Sequence, residues 1–126
     1  MAAVPWDHIA VRHPGLSLLV LIGSRALGVE HERSDWDFGA LGTADLDLLS
    51  LRADLSDALR TDAVDMVDLR RASAVLRRDA ATSGRVLVER TEGAFVEFQV
   101  EAISFWCDVE PVLREAHADV LRAAAG

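Results

Sequence analysis

The sequence predicts an α+β fold (a mixed α/β arrangement) in which helices pack on a small mixed β-sheet. Three observations indicate this fold. An apolar run of seven residues over 16–22, LSLLVLI, has the length of a buried strand. Residues 35–38 alternate acidic and aromatic side chains, which is the period of a strand. Leucines recur at helical spacing over 48–59, which indicates an amphipathic helix.

Length and composition are those of a soluble globular protein. The 126 residues suffice for one domain with a core of moderate size, and 51% apolar with 27% charged residues excludes disorder. We expect a single domain over 1–126, with a core over 16–90 and C-terminal helices over 91–124. No apolar run approaches the roughly 20 residues of a membrane span, and the N-terminus does not have the pattern of a secretion signal. The single cysteine, Cys107, excludes an internal disulfide and is expected to be buried in a cytoplasmic protein.

The net charge of −8 argues against a nucleic-acid-binding face. Basic surface supplies most of the affinity for DNA and RNA, and this chain has an acidic excess instead. Some of these acids are expected to hold metal, and the others to lie in solvent. We therefore expect no direct nucleic-acid partner and no membrane partner.

The other elements follow from local sequence signals. We expect helices near 6–11, 45–60 and 73–82, a long helix from 91, and a last helix over 111–123. Further short strands are expected at 63–69 and, at the sheet edge, at 85–89. Thr43 is the expected N-cap of the second helix, and Pro111 the expected start of the last one.

Asp45 and Asp47 form an acidic pair at the start of the second helix. Acids complement the macrodipole in a first helical turn, and alternate residues of a helix do not share a face. We therefore interpret this pair as structural rather than as ligands.

The chemistry is expected where the first strand ends. Gly23-Ser24 interrupts the apolar run, and the backbone N–H groups and hydroxyl of such a corner suit the phosphates of a nucleotide. Asp35 and Asp37 flank Trp36, so their carboxylates leave a strand on one face, roughly 7 Å apart. Such a pair can share two divalent cations spaced about 3.5–4 Å apart. The combination predicts nucleotidyl or phosphoryl transfer.

Two further acids, Asp65 and Asp68, lie within the apolar stretch AVDMVDL. A carboxylate among apolar neighbours is costly unless it is paired or bound to metal, so at least one of them is functional or capped. Asp65 lies deeper in the expected strand. Asp68 lies near its end, where Arg70 or Arg71 can pair with it. Asp65 is the preferred third carboxylate, and Asp68 is the alternative.

The corner, the ten intervening residues and Asp35-Trp36-Asp37 together resemble the signature of the DNA polymerase beta-type nucleotidyltransferase superfamily. The flanking residues resemble those of its smallest members, the minimal nucleotidyltransferases (MNT): Arg25, Ala26, Gly28 and Ser34. Residues 16–115 resemble the MntA-type antitoxins of HEPN/MNT toxin–antitoxin systems. This resemblance implies a polymerase beta-like fold and a Mg²⁺-dependent enzyme that transfers AMP from ATP to a tyrosine of a HEPN-domain (HepT-type) ribonuclease toxin.

The resemblance also implies roles for individual residues. Asp35, Asp37 and Asp65 would be the catalytic carboxylates and would bind two Mg²⁺ ions. The chemistry of the corner predicts Gly23, Ser24, Arg25 and Arg33 as nucleotide-binding residues, and a surface salt bridge is an equal alternative for Arg25. The expected assembly is a hetero-oligomer with the toxin. Two alternatives remain at this point: an antitoxin that acts by binding alone with a vestigial site, and an aminoglycoside-type enzyme that modifies a small molecule.

Overall fold

The computed structural model describes residues 5–29 and 35–125. Within these ranges, five helices and four strands follow one another along the chain. The helices are α1 (Trp6–Arg12), α2 (Ser24–Leu27), α3 (Leu48–Leu59), α4 (Ala74–Ser83) and α5 (Ala94–Ala125). The strands are β1 (Leu16–Ile22), β2 (Trp36–Gly42), β3 (Val64–Asp68) and β4 (Arg85–Glu89).

The four strands form one mixed sheet in the order β3-β2-β1-β4. The strand β1 pairs antiparallel with both β2 and β4, while β2 and β3 run parallel. The predicted mixed sheet with packed helices is therefore confirmed. The last strand, β4, lies at an edge as its short, alternating sequence indicated.

Helices cover both faces of the sheet, and β1 contributes to the core on each side. On one face, Leu19 and Leu21 belong to a cluster with Phe38 of β2 and with Leu51 and Leu55 of α3. The other face has a cluster of residues from β1, α4 and α5: Leu18, Val20, Ile22, Ala80, Ala81, Phe98 and Ala102. Burial on both faces explains why β1 is a continuous apolar run rather than an alternating one.

The predicted start of α3 was wrong. Thr43 does not cap this helix; its backbone N–H donates to Gly15 O, and its carbonyl accepts from Leu46 N in a turn. The cap is Asp47, whose carboxylate accepts a hydrogen bond from Ser50 N at 3.2 Å. The helix therefore begins only at Leu48, after the turn at Thr43.

The predicted break at Pro111 was also wrong, since Pro111 lies inside α5, a continuous helix of 32 residues. Proline costs about 3 kcal/mol in a helix interior. Strong helix formers follow it, and Glu110 and Arg114 form an ion pair of 2.5 Å across it. Cys107 is exposed rather than buried, because this part of α5 extends beyond the sheet. In the described part of the chain, no helix combines the length and apolar character needed to cross a membrane.

The cap of α3 can be tested with a matched pair of variants. Asp47→Ala should lower the free energy of unfolding by about 1 kcal/mol, because the helix loses its N-cap acceptor. Asp45→Ala should change it by less than about 0.5 kcal/mol, since Asp45 is exposed in the preceding turn. Urea titration followed by circular dichroism measures both values. Equal losses in the two variants would contradict the assignment of the cap.

Candidate active site

The end of β1 and the starts of β2 and β3 meet at one end of the sheet. In the register of the strands, Ile22 of β1 lies opposite Asp37, and Asp37 lies opposite Asp65 of β3. Residues paired across neighbouring strands project on the same face. The sheet therefore places the Asp37 and Asp65 carboxyl groups side by side, as the preference for Asp65 required.

The pKa of Asp37 shows that the carboxyl groups of Asp35, Asp37 and Asp65 lie near one another. Burial raises the pKa of the Asp37 carboxyl above its ordinary value, and the negative charges of Asp65 and Asp35 raise it further. A hydrogen bond between the Asp37 and Asp65 side chains acts in the same direction. Asp35 immediately precedes β2 and is exposed, as is Asp65. The three carboxyl groups thus form one acidic cluster that is open to solvent.

Asp68 is separated from this cluster by the pleat of β3. It lies opposite Ala40, three residues after Asp65, and therefore on the other face. Its carboxylate accepts a hydrogen bond from Arg70 N at 2.9 Å and lies 4.0 Å from Arg71 Nε. Asp68 at the end of β3 is thus satisfied by its neighbours, as its position beside Arg70 and Arg71 predicted, although Asp65 is the more exposed of the two acids. Register, not depth in the strand, distinguishes them.

The Gly23-Ser24 corner lies directly against the carboxylates. Gly23 has φ 78° and ψ −158°, a conformation that is essentially restricted to glycine. A Cβ at Gly23 would lie 2.7 Å from Asp37 Oδ2, so the missing side chain leaves space for this oxygen. Gly23 is exposed and Ser24 half-buried, so the corner is accessible.

Arg25 connects the corner to β2. Its guanidinium carbon lies 4.1 Å from the centroid of the Trp36 ring, which stacks on Phe38 at 6.2 Å between ring centroids. Trp36 leaves β2 on the face opposite Asp37. This contact was not predicted from the sequence, where the alternation of aromatics with the two acids is the only signal for it. Arg33 and Ser34 lie outside the described residues.

The acidic cluster fits magnesium in its donor chemistry. Carboxylate oxygens are the ligands that Mg²⁺ prefers, and a cation would offset the repulsion that raises the pKa of Asp37. Over residues 5–29 and 35–125, no three acidic, cysteine or histidine side chains are already gathered closely enough to hold one ion. The cluster thus has the composition of a metal site, while its side chains are not closed into a coordination shell.

Comparison with known proteins gives consistent results. Residues 7–93 match the family model for polymerase beta nucleotidyltransferases. A protein adenylyltransferase MntA of Shewanella oneidensis is 42% identical over 77 residues, which are 59% of this chain and 55% of that relative. The chain therefore spans about half the length of this curated relative.

Two solved structures are similar over nearly the whole chain. One, a toxin–antitoxin with AMP-PNP, has a TM-score of 0.78 at 33% identity and covers 91% of this chain and 94% of that one. The other, a tri-AMPylated Shewanella oneidensis HEPN toxin in complex with MNT antitoxin, has a TM-score of 0.67 at 32% identity. It covers 86% of this chain and 85% of that one.

The two requirements for glycine at position 23 can be tested against Gly28, which also has positive φ (75°) but has no atom of the described residues within 4 Å of an added Cβ. Gly28→Ala should cost about 1 kcal/mol of stability, from backbone strain alone. Gly23→Ala should cost more than about 2 kcal/mol, because it adds a collision with Asp37 to a stricter backbone requirement. Chemical denaturation of both variants measures the difference. Equal costs would mean that the corner does not press on the carboxylate.

The repulsion at Asp37 predicts a pH-dependent effect of Asp37→Asn. Because its pKa is raised on folding, the Asp37 carboxyl contributes stability below the ordinary Asp pKa and loses that contribution as pH rises through the folded value. Asn carries no charge at acidic or at neutral pH. The stability of Asp37→Asn relative to the wild type should therefore increase from acidic to neutral pH. Urea unfolding at acidic and at neutral pH measures it, and a pH-independent difference would contradict the raised pKa of Asp37.

Proposed function

Because this chain belongs to the polymerase beta-type nucleotidyltransferase family, among its minimal, MntA-type members, we propose that it transfers AMP from ATP to a tyrosine hydroxyl of a HEPN-domain toxin and so acts as its antitoxin. One observation supports this function above the others: Asp37 and Asp65 are register partners on adjacent strands, with Asp35 in the same field and the Gly23-Ser24 corner against them. The relatives named protein adenylyltransferase MntA, and those solved with AMP-PNP and with an AMPylated HEPN toxin, support the substrate and the partner.

In the proposed reaction the tyrosine oxygen attacks the α-phosphorus of ATP. A bond forms between this oxygen and phosphorus, the bond from phosphorus to the bridging oxygen breaks, and pyrophosphate leaves. Asp35, Asp37 and Asp65 would hold two Mg²⁺ ions, which when bound supply positive charge to the attacking and leaving oxygens. Asp65 accepts the hydroxyl proton on a carboxylate oxygen, since it lies at the exposed side of the cluster.

The corner residues bind the nucleotide in this proposal. The Gly23 N–H and the Ser24 hydroxyl hold the terminal phosphates next to the carboxylates. Arg25, stacked on Trp36, keeps the corner fixed against β2 and adds positive charge near the phosphates. Arg33 supplies a second positive charge.

A protein acceptor agrees with the position of the cavities. Two cavities, of about 460 and 390 Å³, are both lined by Gly42, at the end of β2 far from Asp37. Neither encloses a small acceptor beside the carboxylates. We therefore propose one minimal domain over 1–126, core 16–90 with the helical segment after it, that acts in the cytoplasm on the surface of its partner.

The proposal predicts a sharp difference between two neighbouring acids. With ATP, Mg²⁺ and the HEPN partner, Asp65→Asn should lower the rate of AMP transfer by about 100-fold or more, because the proton acceptor is lost. Asp68→Asn, on the other face of β3, should stay within about threefold of wild type. The intact mass of the partner over time measures both rates.

The double variant Asp35→Asn/Asp37→Asn separates catalysis from contact inhibition. It should still bind the partner but leave its mass unchanged and its toxicity intact. Neutralisation of the toxin by this variant would favour an antitoxin that acts by binding alone. A wild-type protein that leaves the partner unmodified would overturn the proposed transfer.

A further inference from the structure

The helix α5 carries an apolar seam that continues past the body of the protein. Its residues are spaced alternately four and three apart, so they form two series that each repeat every seven residues. One series is Phe98, Phe105 and Val112, and the other is Ala102, Val109 and Ala116. Such a seam is the pattern by which one helix packs along another.

Within the described chain only the first part of the seam is buried, and Arg77 of α4 lies over the Phe105 ring at 4.8 Å from its centroid. Phe98 and Ala102 are 5% and 1% exposed against the sheet and α4. Beyond them Phe105 is 38% and Val112 65% exposed, and no residue over 107–125 is buried. The exposed part over 105–116 is about 18 Å long at 1.5 Å per residue. The same side that forms core in the first turns is thus open to a second helix in the later ones.

A row of acids borders this seam. Glu101, Asp108 and Glu115 repeat every seven residues, each directly before a seam residue. Among residues 5–29 and 35–125, none of the three forms an ion pair. The basic residues of the same segment are engaged elsewhere, Arg114 with Glu110 and Arg122 with Asp119. The border therefore presents unpaired negative charge along one side of the apolar seam.

We propose that the seam over 105–116 docks a helix of the partner protein that has its own apolar seam bordered by Lys or Arg. Charges at the positions next to a helix–helix seam select the partner. A basic border on the partner would pair with Asp108 and Glu115 while its apolar residues cover Val109 and Val112. The inference rests on the proposed function only in taking the HEPN-domain toxin as this partner.

A second copy of this chain suits the surface less well. In an antiparallel pair the acidic rows would face each other, which is destabilising. In a parallel pair they would face the opposite border, which holds Trp106 and Leu113, and Arg78, which lies 4.4 Å from the Trp106 ring centroid, is already paired with Asp79. The chain also has a net charge of −8, which opposes self-association. A basic partner helix satisfies both the apolar and the charged part of the surface.

The test compares two double variants of the full chain that each replace two apolar residues by Asp. Val109→Asp/Val112→Asp lies in the seam. The matched control, Val100→Asp/Leu121→Asp, lies outside it at residues that are 62% and 56% exposed. Titration calorimetry with the purified HEPN partner gives Kd, and circular dichroism verifies that α5 is retained. The seam variant should raise Kd by about tenfold or more, and the control by less than about threefold.

A charge-reversed variant, Asp108→Lys/Glu115→Lys, tests the border without touching the seam. Its Kd should also rise by about tenfold, and the salt dependence of binding should weaken. Unchanged affinity in both the seam and the charge variant, or equal weakening in the control, would overturn the inference. So would sedimentation of the isolated wild-type chain as a dimer that the seam variant abolishes, because the occupant would then be a second copy.

These outcomes are separable from those that test the proposed function. At saturating partner the seam variant should transfer AMP at the wild-type kcat, with only the apparent KM raised. Seam-dependent binding without AMP transfer by any variant would remove the proposed function and leave the docking surface. Normal transfer with seam-independent binding would remove the docking surface and leave the function.

Discussion

Two like charges held side by side on neighbouring strands are the constraint on which this structure depends. Asp37 and Asp65 face each other across β2 and β3, and burial together with the negative charge of Asp65 raises the pKa of Asp37. Repulsion of this kind lowers the stability of the fold. It is offset by the burial of β1 on both faces, because each fully buried Leu, Ile or Val side chain contributes about 1.5–3 kcal/mol. Burial of the apolar strand β1 therefore offsets the free-energy cost of the acidic cluster beside it.

The corner after β1 is shaped by the same cluster. Gly23 leaves room for the Asp37 carboxylate, and a methyl group at this position would displace that oxygen. On the opposite face of β2, Arg25 stacks on Trp36 and holds the four-residue helix α2 in place. The strand β2 is thus contacted by the corner from both faces. Because phosphates and metal would both need fixed oxygen and N–H positions, this rigidity prepares the site before any ligand binds.

Most of the fold could be predicted from sequence because its signals are local. The apolar run of β1 and the alternation at the start of β2 each determine their own element, and the structure has both strands. The errors concern competition between signals. Thr43 is a good cap by type, but its backbone is engaged by Gly15, so Asp47 takes that role. Pro111 disfavours a helix locally, but the turns on both sides continue it.

The site shows the same division between local and long-range information. The carboxylates at 35 and 37 and the glycine-serine corner are visible in the sequence because the spacing of neighbouring residues carries their relation. The choice between Asp65 and Asp68 rested on their places in the strand and on the arginines beside Asp68, and these local signals do not place either acid against Asp37. Only the parallel register of β3 against β2 places Asp65 beside Asp37, and register is a tertiary property. The stacking of Arg25 on Trp36 also depends on a tertiary relation between elements, which the sequence does not show.

The extension of α5 beyond the sheet has a chemical consequence for a protein that modifies another protein. An open acidic cluster binds a protein acceptor only weakly through the few residues around one hydroxyl. A second contact on a separate element raises the effective concentration of that hydroxyl at the site, without adding any group to the reacting atoms. The contact must be selective, because an exposed apolar helix attracts many proteins. The acidic border supplies this selectivity, since a seam with negative flanks repels acidic helices and admits basic ones.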